Sequence, residues 1–182
     1  GVQTCALPIS RQGVKMDGFV KADKHRWSDH RFPYVIPQYR FLRIKRKCEY
    51  WRNRFLPFFI VYRLLFEHYK IKYGTDIPAK VQIGKGLRIE HLGGIVVNPK
   101  AKIGSNVTLL NGVLIGAQNR GKHKGFPVIG DYVWIGTNSI IVGSVHVGNN
   151  VLIAPGSYIN FDVPDNSIVL GNPGKIIHKD NA

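Results

Sequence analysis

The sequence predicts a mainly β fold, a triangular solenoid of short parallel strands preceded by a small helical cap. Three observations predict it. Aliphatic residues recur every six positions, at 77, 83, 89 and 95, at 103, 109 and 115, and at 129, 135, 141, 147, 153 and 159. A glycine often follows them (Gly84, Gly104, Gly116, Gly130, Gly136, Gly148). A small or β-branched residue often sits four positions beyond (Val81, Val107, Val113, Ser139, Val145, Val151, Ser157). A six-residue period fits neither an amphipathic helix nor a hairpin stack. It fits a coil in which each hexad is one flat side, three hexads close a triangle, and each coil buries its interior only with help from its neighbours.

The elements follow in order. Residues 1–15 read as non-native or disordered, since "GVQTCALPI" resembles a translated sequencing adapter and Met16 opens a plausible native start. Residues 16–74 form a basic helical N-terminal region. Within it "FPYVIP" (32–37) is a turn or extended link. "QYRFLRIKRKCEYWRNRF" (38–55) places Phe41, Leu42, Ile44, Cys48 and Trp51 mostly on one face. "PFFIVYRLLFEHYKIKY" (57–73) is a further helix with Pro57 in its first turn. Residues 75–170 form the β-helix, of about five coils. Its register breaks twice: eight residues separate Ile95 from Ile103, and fourteen separate Ile115 from Ile129, which sends 117–127 out as a loop. Residues 171–182 form a C-terminal tail.

Composition narrows the function classes. The formal net charge is +15 over 182 residues, and residues 1–73 hold 16 Lys/Arg against 5 Asp/Glu. A basic front half suits phosphates or acidic lipid headgroups. Nucleic acid is disfavoured, because no recognition motif or base-stacking platform is visible. Two cysteines, Cys5 and Cys48, form neither a disulfide framework nor a metal-ligand spacing and suit a reducing compartment. The longest apolar run, "FLPFFIVY", is far short of the ~20 residues of a spanning helix, and no secretory signal is visible. A cytoplasmic protein, soluble or peripheral at the inner face of the membrane, is the expectation. The basic amphipathic helices suit a membrane surface, but a cap with a solvated basic face is favoured.

On the hexad register His91 lies two residues after Ile89, and is expected either to point inward or to stand by the corner at Gly93–Gly94. Its residues alone leave two roles open, a satisfied buried histidine or a catalytic base. The wider stretch "YGTDIPAKVQIGKGLRIEHLGGIVVNPKAKIG" resembles the hexapeptide-repeat acyltransferases, and among them the serine acetyltransferases. The resemblance implies a left-handed parallel β-helix and a homotrimer with sites between subunits. It also implies acetyl-CoA as co-substrate and no resident metal. It makes His91 the general base and Asp76, fifteen residues upstream, its orienting partner, with Glu90 in the acidic place before the histidine. Backbone N–H groups of the glycine-rich turns are expected to face the oxyanion. Coenzyme contacts are implied at Gly116–Ala117, Gly136–Thr137, Ala154 and the tail "GNPGKII", where Lys175 is the phosphate candidate or else a solvated lysine.

Departures from that family bear on the acceptor. Its loop ends in Arg-His-Pro; aligning Pro127 with that proline puts Gly125–Phe126 in place of Arg-His. Lys122 and His123 fall three positions too early, and His123 is either an acceptor contact or a bystander. Glu90, Lys122 and His123 are the acceptor-binding candidates, Glu90 for a substrate ammonium. The short basic front and the loop "NRGKHKGFPVIG" look more like the serine-acetyltransferase-like proteins of surface polysaccharide synthesis. A sugar hydroxyl is therefore preferred over L-serine, with Phe126, Tyr132 and Trp134 as a surface for a sugar face. The remoter alternative is a non-catalytic or metal-binding β-helix, such as a γ-type carbonic anhydrase. His91, His123 and His146 lack close ligand spacing for it.

Overall fold

The computed structural model describes residues 16–178. The expectations for 1–15 and for the last four residues of the tail lie outside the described residues. The chain opens with α1 (Met16–His25), a 3-10 turn (Pro33–Val35), α2 (Pro37–Trp51) and α3 (Leu56–Tyr73). Prolines occupy the first turns of α2 and α3, where a missing N–H costs nothing. Gly74, left-handed at φ 56°, ends α3 with its N–H on the Ile71 carbonyl.

The rest is the parallel β-helix. Its first side stacks β1 (Gln82–Ile83), β4 (Lys102–Ile103), β7 (Val128–Ile129) and β10 (His146–Val147). The second side stacks β2 (Arg88–Ile89), β5 (Thr108–Leu109), β8 (Trp134–Ile135), β11 (Leu152–Ile153) and β13 (Ser167–Leu170). Strand β14 (Lys175–His178) returns antiparallel along β13. The third side stacks β3 (Val96–Val97), β6 (Leu114–Gly116), β9 (Ile140–Val142) and β12 (Tyr158–Ile159). Each strand pairs in parallel with its equivalent one coil on, and the second residue of each pair faces the core. Ile89, Leu109, Ile135, Ile153 and Val169 form one such buried column.

The register differs from the sequence reading at two places. After Ile159, Val163, expected at a corner, bridges Val147 as the inward residue of the first side. The other difference is in the first coil. Asp76 bridges to Val96, and Val97 is partnered by Ile115. The aliphatic position of that side is therefore Val97, not Ile95. The eight-residue step runs from Ile89 to Val97, and the step from Val97 to Ile103 is an ordinary six. Ile95 fitted the count of six because it is also fully buried, just inside the corner. The two extra residues belong to Glu90–Gly94, the corner that carries His91.

The corner between the first and second sides shows why glycine follows the aliphatic residue. A Cβ on Gly84 would lie 2.6 Å from the carbonyl carbon of Gly104, and one on Gly130 would lie 2.7 Å from the Gly148 oxygen. Successive coils touch backbone to backbone there, which leaves no room for a side chain.

The helices dock on the first coil through buried charge, so part of the basic face expected to be solvated is internal. Arg46 on α2 is 4% exposed and Asp23 on α1 is 2% exposed. Arg46 Nε donates to Asp23 at 2.9 Å and its Nη1 donates to the Ile83 carbonyl at 3.0 Å, while the Gly84 carbonyl takes Nη2. Asp23 in turn accepts the Gly86 N–H at 2.7 Å. Lys45, fully buried beside them, pairs with Glu49. Burial holds its ammonium below the usual lysine range, with Glu49 opposing. Two of the helix's basic residues are thus internal staples to the β-helix.

Candidate active site

The corner between the second and third sides holds His91. It is exposed at the lengthened turn and does not share Ile89's inward orientation. That turn is fixed by what precedes Asp76. The Gly93 N–H donates to Thr75 Oγ1 at 3.2 Å and the Gly94 N–H donates to the Gly74 carbonyl at 2.7 Å. Gly94 is left-handed at φ 66°, and a Cβ there would come within 3.2 Å of Gly112 Cα. The N–H groups of Gly93 and Gly94 are therefore committed and do not face an oxyanion. Among the described residues, those of His91 and Leu92 donate to nothing within the chain.

Asp76, expected to orient His91, and Glu90, expected to meet a substrate ammonium, each lie against a cation of the chain. Asp76 lies on the third side, opposite Val96, whereas His91 lies in the corner five residues earlier, so the register does not set them face to face. The Asp76 carboxylate takes Lys70 Nζ at 2.8 Å instead. Burial works against the Lys70 charge, but the hydrogen bonds of Asp76 and Glu67 outweigh it and hold the ammonium above the usual lysine range. Glu90 binds Arg88 Nε at 2.6 Å, and its carbonyl accepts Gln38 Nε2 at 3.0 Å. Its carboxylate thus has one cation, Arg88, as a neighbour.

Several coenzyme candidates stack in line with His91. Moving up the same corner, coil by coil, come Asn111–Gly112, Gly136–Thr137 and Ala154. Thr137 Oγ1 donates to Asn111 Oδ1 at 3.1 Å, which ties two of these turns together. Gly136 is a packing requirement as well, because a Cβ there would lie 2.6 Å from the Pro155 nitrogen. Lys175 opens β14 opposite Leu170, at the same corner beyond Ala154, and is exposed. At about 4.8 Å per coil, five steps from His91 to Lys175 make a column of about 24 Å.

The remaining candidates are at a different corner. Gly116 and Ala117 leave the third side toward the first, and the 117–127 loop follows them. The loop is anchored rather than free. Gln118 and Gly125 exchange backbone hydrogen bonds at 3.1 and 2.9 Å, and the His123 carbonyl accepts the Ser144 N–H at 2.8 Å. His123 is half-buried and Lys122 exposed. The third side separates this corner from His91, so one chain brings His91 together with neither His123 nor Lys122.

The proposed aromatic surface also divides. Phe126 lies under Lys100 at 4.9 Å, Tyr132 sits left-handed at the corner between first and second sides, and Trp134 is on the second side. His146 lies on the first side, apart from His91 and His123. Two surface hollows, of about 430 and 220 Å³, are lined by residues of the helical cap and include neither His91 nor the loop.

The fold matches known proteins. The family model "Bacterial transferase hexapeptide (six repeats)" matches residues 126–160, the regular coils beyond the loop. The structure superimposes on the Neisseria gonorrhoeae serine acetyltransferase with a TM-score of 0.77 at 26% identity, covering 92% of this chain and 66% of that one. The chain is 32% identical over 123 residues to the serine acetyltransferase of Helicobacter pylori, covering 68% of this chain and 72% of that protein. It belongs to the serine acetyltransferase family. Other serine acetyltransferase relatives are longer. The chain covers 55% of the Bacillus subtilis protein at 35% identity, and 30% of Arabidopsis thaliana serine acetyltransferase 4 at 37% identity. The fold class is the expected one, a left-handed parallel β-helix with a short helical cap.

Among serine acetyltransferases the relatives' names bear on the acceptor. The gonococcal enzyme has also been solved in complex with serine, and this chain covers 68% of it at 27% identity. None of the compared proteins named here is described by a polysaccharide. The comparisons therefore back the serine alternative better than the sugar preference of the sequence reading.

Proposed function

We propose that this chain transfers the acetyl group of acetyl-CoA to a hydroxyl, with His91 as general base and L-serine as the first acceptor to test. The observation that supports it most is the single corner that carries His91 at one end and Lys175 at the other. In this reading the neutral imidazole of His91 takes the acceptor proton while the hydroxyl oxygen attacks the thioester carbonyl. The tetrahedral intermediate expels the coenzyme thiolate, which recovers the proton from the imidazolium. The pantetheine arm lies along Thr137 and Ala154, and the phosphates lie toward Lys175. The coenzyme is a co-substrate, and no group of His, Cys, Asp and Glu suited to a metal occurs among the described residues.

The acceptor site needs a second copy of the chain. The outward residues of the third side are Val96, Leu114, Ile140 and Tyr158, an apolar strip flanked by the His91 corner and the loop corner. Packing that strip against a neighbouring subunit brings one chain's loop to another chain's His91, and a homotrimer satisfies every strip. The strip, the two separated half-sites and the family resemblance support this assembly. Mixing His91→Ala chains with chains lacking 117–127 is expected to restore activity through hybrid trimers, read as thiol release from acetyl-CoA. Two inactive parents that stay inactive after refolding together would rule out a shared site.

A sugar hydroxyl is the second reading, favoured by Gly125–Phe126 in the loop and by Glu90's engagement with Arg88. Both remove charge that a small zwitterion needs. Steady-state assays with acetyl-CoA and either L-serine or a glycan panel separate the two. Saturable acetylation of serine, with no glycan turned over, is the expected result. Turnover of a glycan alone would transfer the assignment to the sugar.

A further inference from the structure

Helix α3 is apolar on both faces, and only one face is covered. Phe66 is fully buried in the cap core, with Phe59, Tyr62 and Tyr69 packed beside it. The opposite arc exposes Leu56 (65%), Val61 (52%), Leu64 (66%) and Ile71 (83%), together with Ile60 and Leu65. A helix that is hydrophobic all round is ordinarily buried all round. This arc runs the whole 18-residue helix, about 27 Å at 1.5 Å per residue. Exposed apolar strips of that extent mark contact surfaces.

The charge around the arc selects what covers it. Residues 52–73 carry Arg52, Arg54, Arg63, Lys70 and Lys72 against one acid, Glu67. Glu67 is already paired with Arg63 and Lys70. A second copy meeting this face with its own α3 would set cations against cations with no free carboxylate of that helix to answer them. An anionic lipid surface supplies the opposite sign together with an apolar layer, and the helix geometry fits lying in the interface plane. No helix among the described residues is long and apolar enough to cross a membrane. We propose that the outer face of α3 docks the protein on an anionic membrane surface, with Leu56, Val61, Leu64 and Ile71 in the acyl boundary. Arg52, Arg54 and Lys72 then face the headgroups. The expected preference for a solvated cap fails at this helix, since what it turns to solvent is mostly apolar.

The test is co-sedimentation of the full chain with phosphatidylcholine vesicles, with and without phosphatidylglycerol. Binding is expected only with phosphatidylglycerol present, and it weakens as salt shortens the screening length below about 8 Å. The Val61→Glu/Leu64→Glu variant is expected to bind about tenfold more weakly or worse. Both side chains are exposed, so the fold is retained, which circular dichroism checks. Arg52→Glu/Arg54→Glu leaves the apolar arc intact and is expected to bind the phosphatidylglycerol vesicles more weakly, with a smaller dependence on salt. Absence of binding to the mixed vesicles, or equal binding by the Val61/Leu64 variant, overturns the proposal. So does vesicle-free association beyond the trimer that this variant abolishes, which would make the face an interface between copies.

Discussion

His91→Ala is expected to lower acetyl transfer by about two to four orders of magnitude, the usual cost of losing a general base. The side chain is exposed on a turn that is fixed by backbone contacts of Gly93 and Gly94 to Thr75 and Gly74. Removing the imidazole therefore leaves the turn in place. Coenzyme binding is expected to persist, because Thr137, Ala154 and Lys175 lie on other coils. Thiol release from acetyl-CoA with a competent acceptor reads the rate, and calorimetry with coenzyme A reads the binding. Asp76→Asn is expected to cost less, since its carboxylate is engaged by Lys70. Turnover near that of the unmodified protein in the His91 variant would sink the mechanism.

Arg46→Ala is expected to destabilise the docked cap by about 3–5 kcal/mol, the cost of stranding one partner of a buried ion pair. Four acceptors converge on that guanidinium: Asp23, Glu49 and the carbonyls of Ile83 and Gly84. Without it the Asp23 carboxylate keeps, among the described residues, only the Gly86 N–H, in a place almost closed to water. Arg46→Lys is not expected to rescue, because an ammonium cannot span acceptors that the planar fork reaches together. Denaturant unfolding followed through the fluorescence of Trp27, which is buried in the cap, gives the measurement. A loss below about 1 kcal/mol would mean that water replaces the guanidinium and that the staple is weak.

The solenoid was legible because the same physical demand repeats each coil. One inward position per side takes an aliphatic residue, and one corner excludes a Cβ. A periodic demand leaves a periodic record, and thirteen sides average out local ambiguity. The misplaced step shows the limit of counting. Ile95 and Val97 are both buried, so a count of six is satisfied by the wrong residue, and only strand pairing identifies Val97. The correction matters, because it places the two extra residues in the turn that presents His91.

The candidate site was legible as residue types but not as contacts. Asp76 at fifteen residues before His91 is a chemical pattern, but whether a carboxylate meets an imidazole depends on which cations compete for it. Lys70 comes from a helix whose docking no local pattern encodes. Glu90 likewise answers Arg88 on its own side. Nor does spacing along the chain reveal that His91 and His123 occupy different corners, with an apolar side between them.

By itself, then, the sequence determined the repeat, the place where the loop leaves it, and the residue types that carry the proposed chemistry, since each is written in local, recurring packing demands. Tertiary structure alone decided which charges are internal. The basic face of α2 reads as solvated until Asp23, Ile83 and Gly84 close around Arg46. The same holds for α3, where apolar residues on every face leave the choice of buried side to the packing of the cap. Burial of a charge or exposure of an aliphatic face is a property of what arrives from elsewhere in the chain, and a local pattern does not record it.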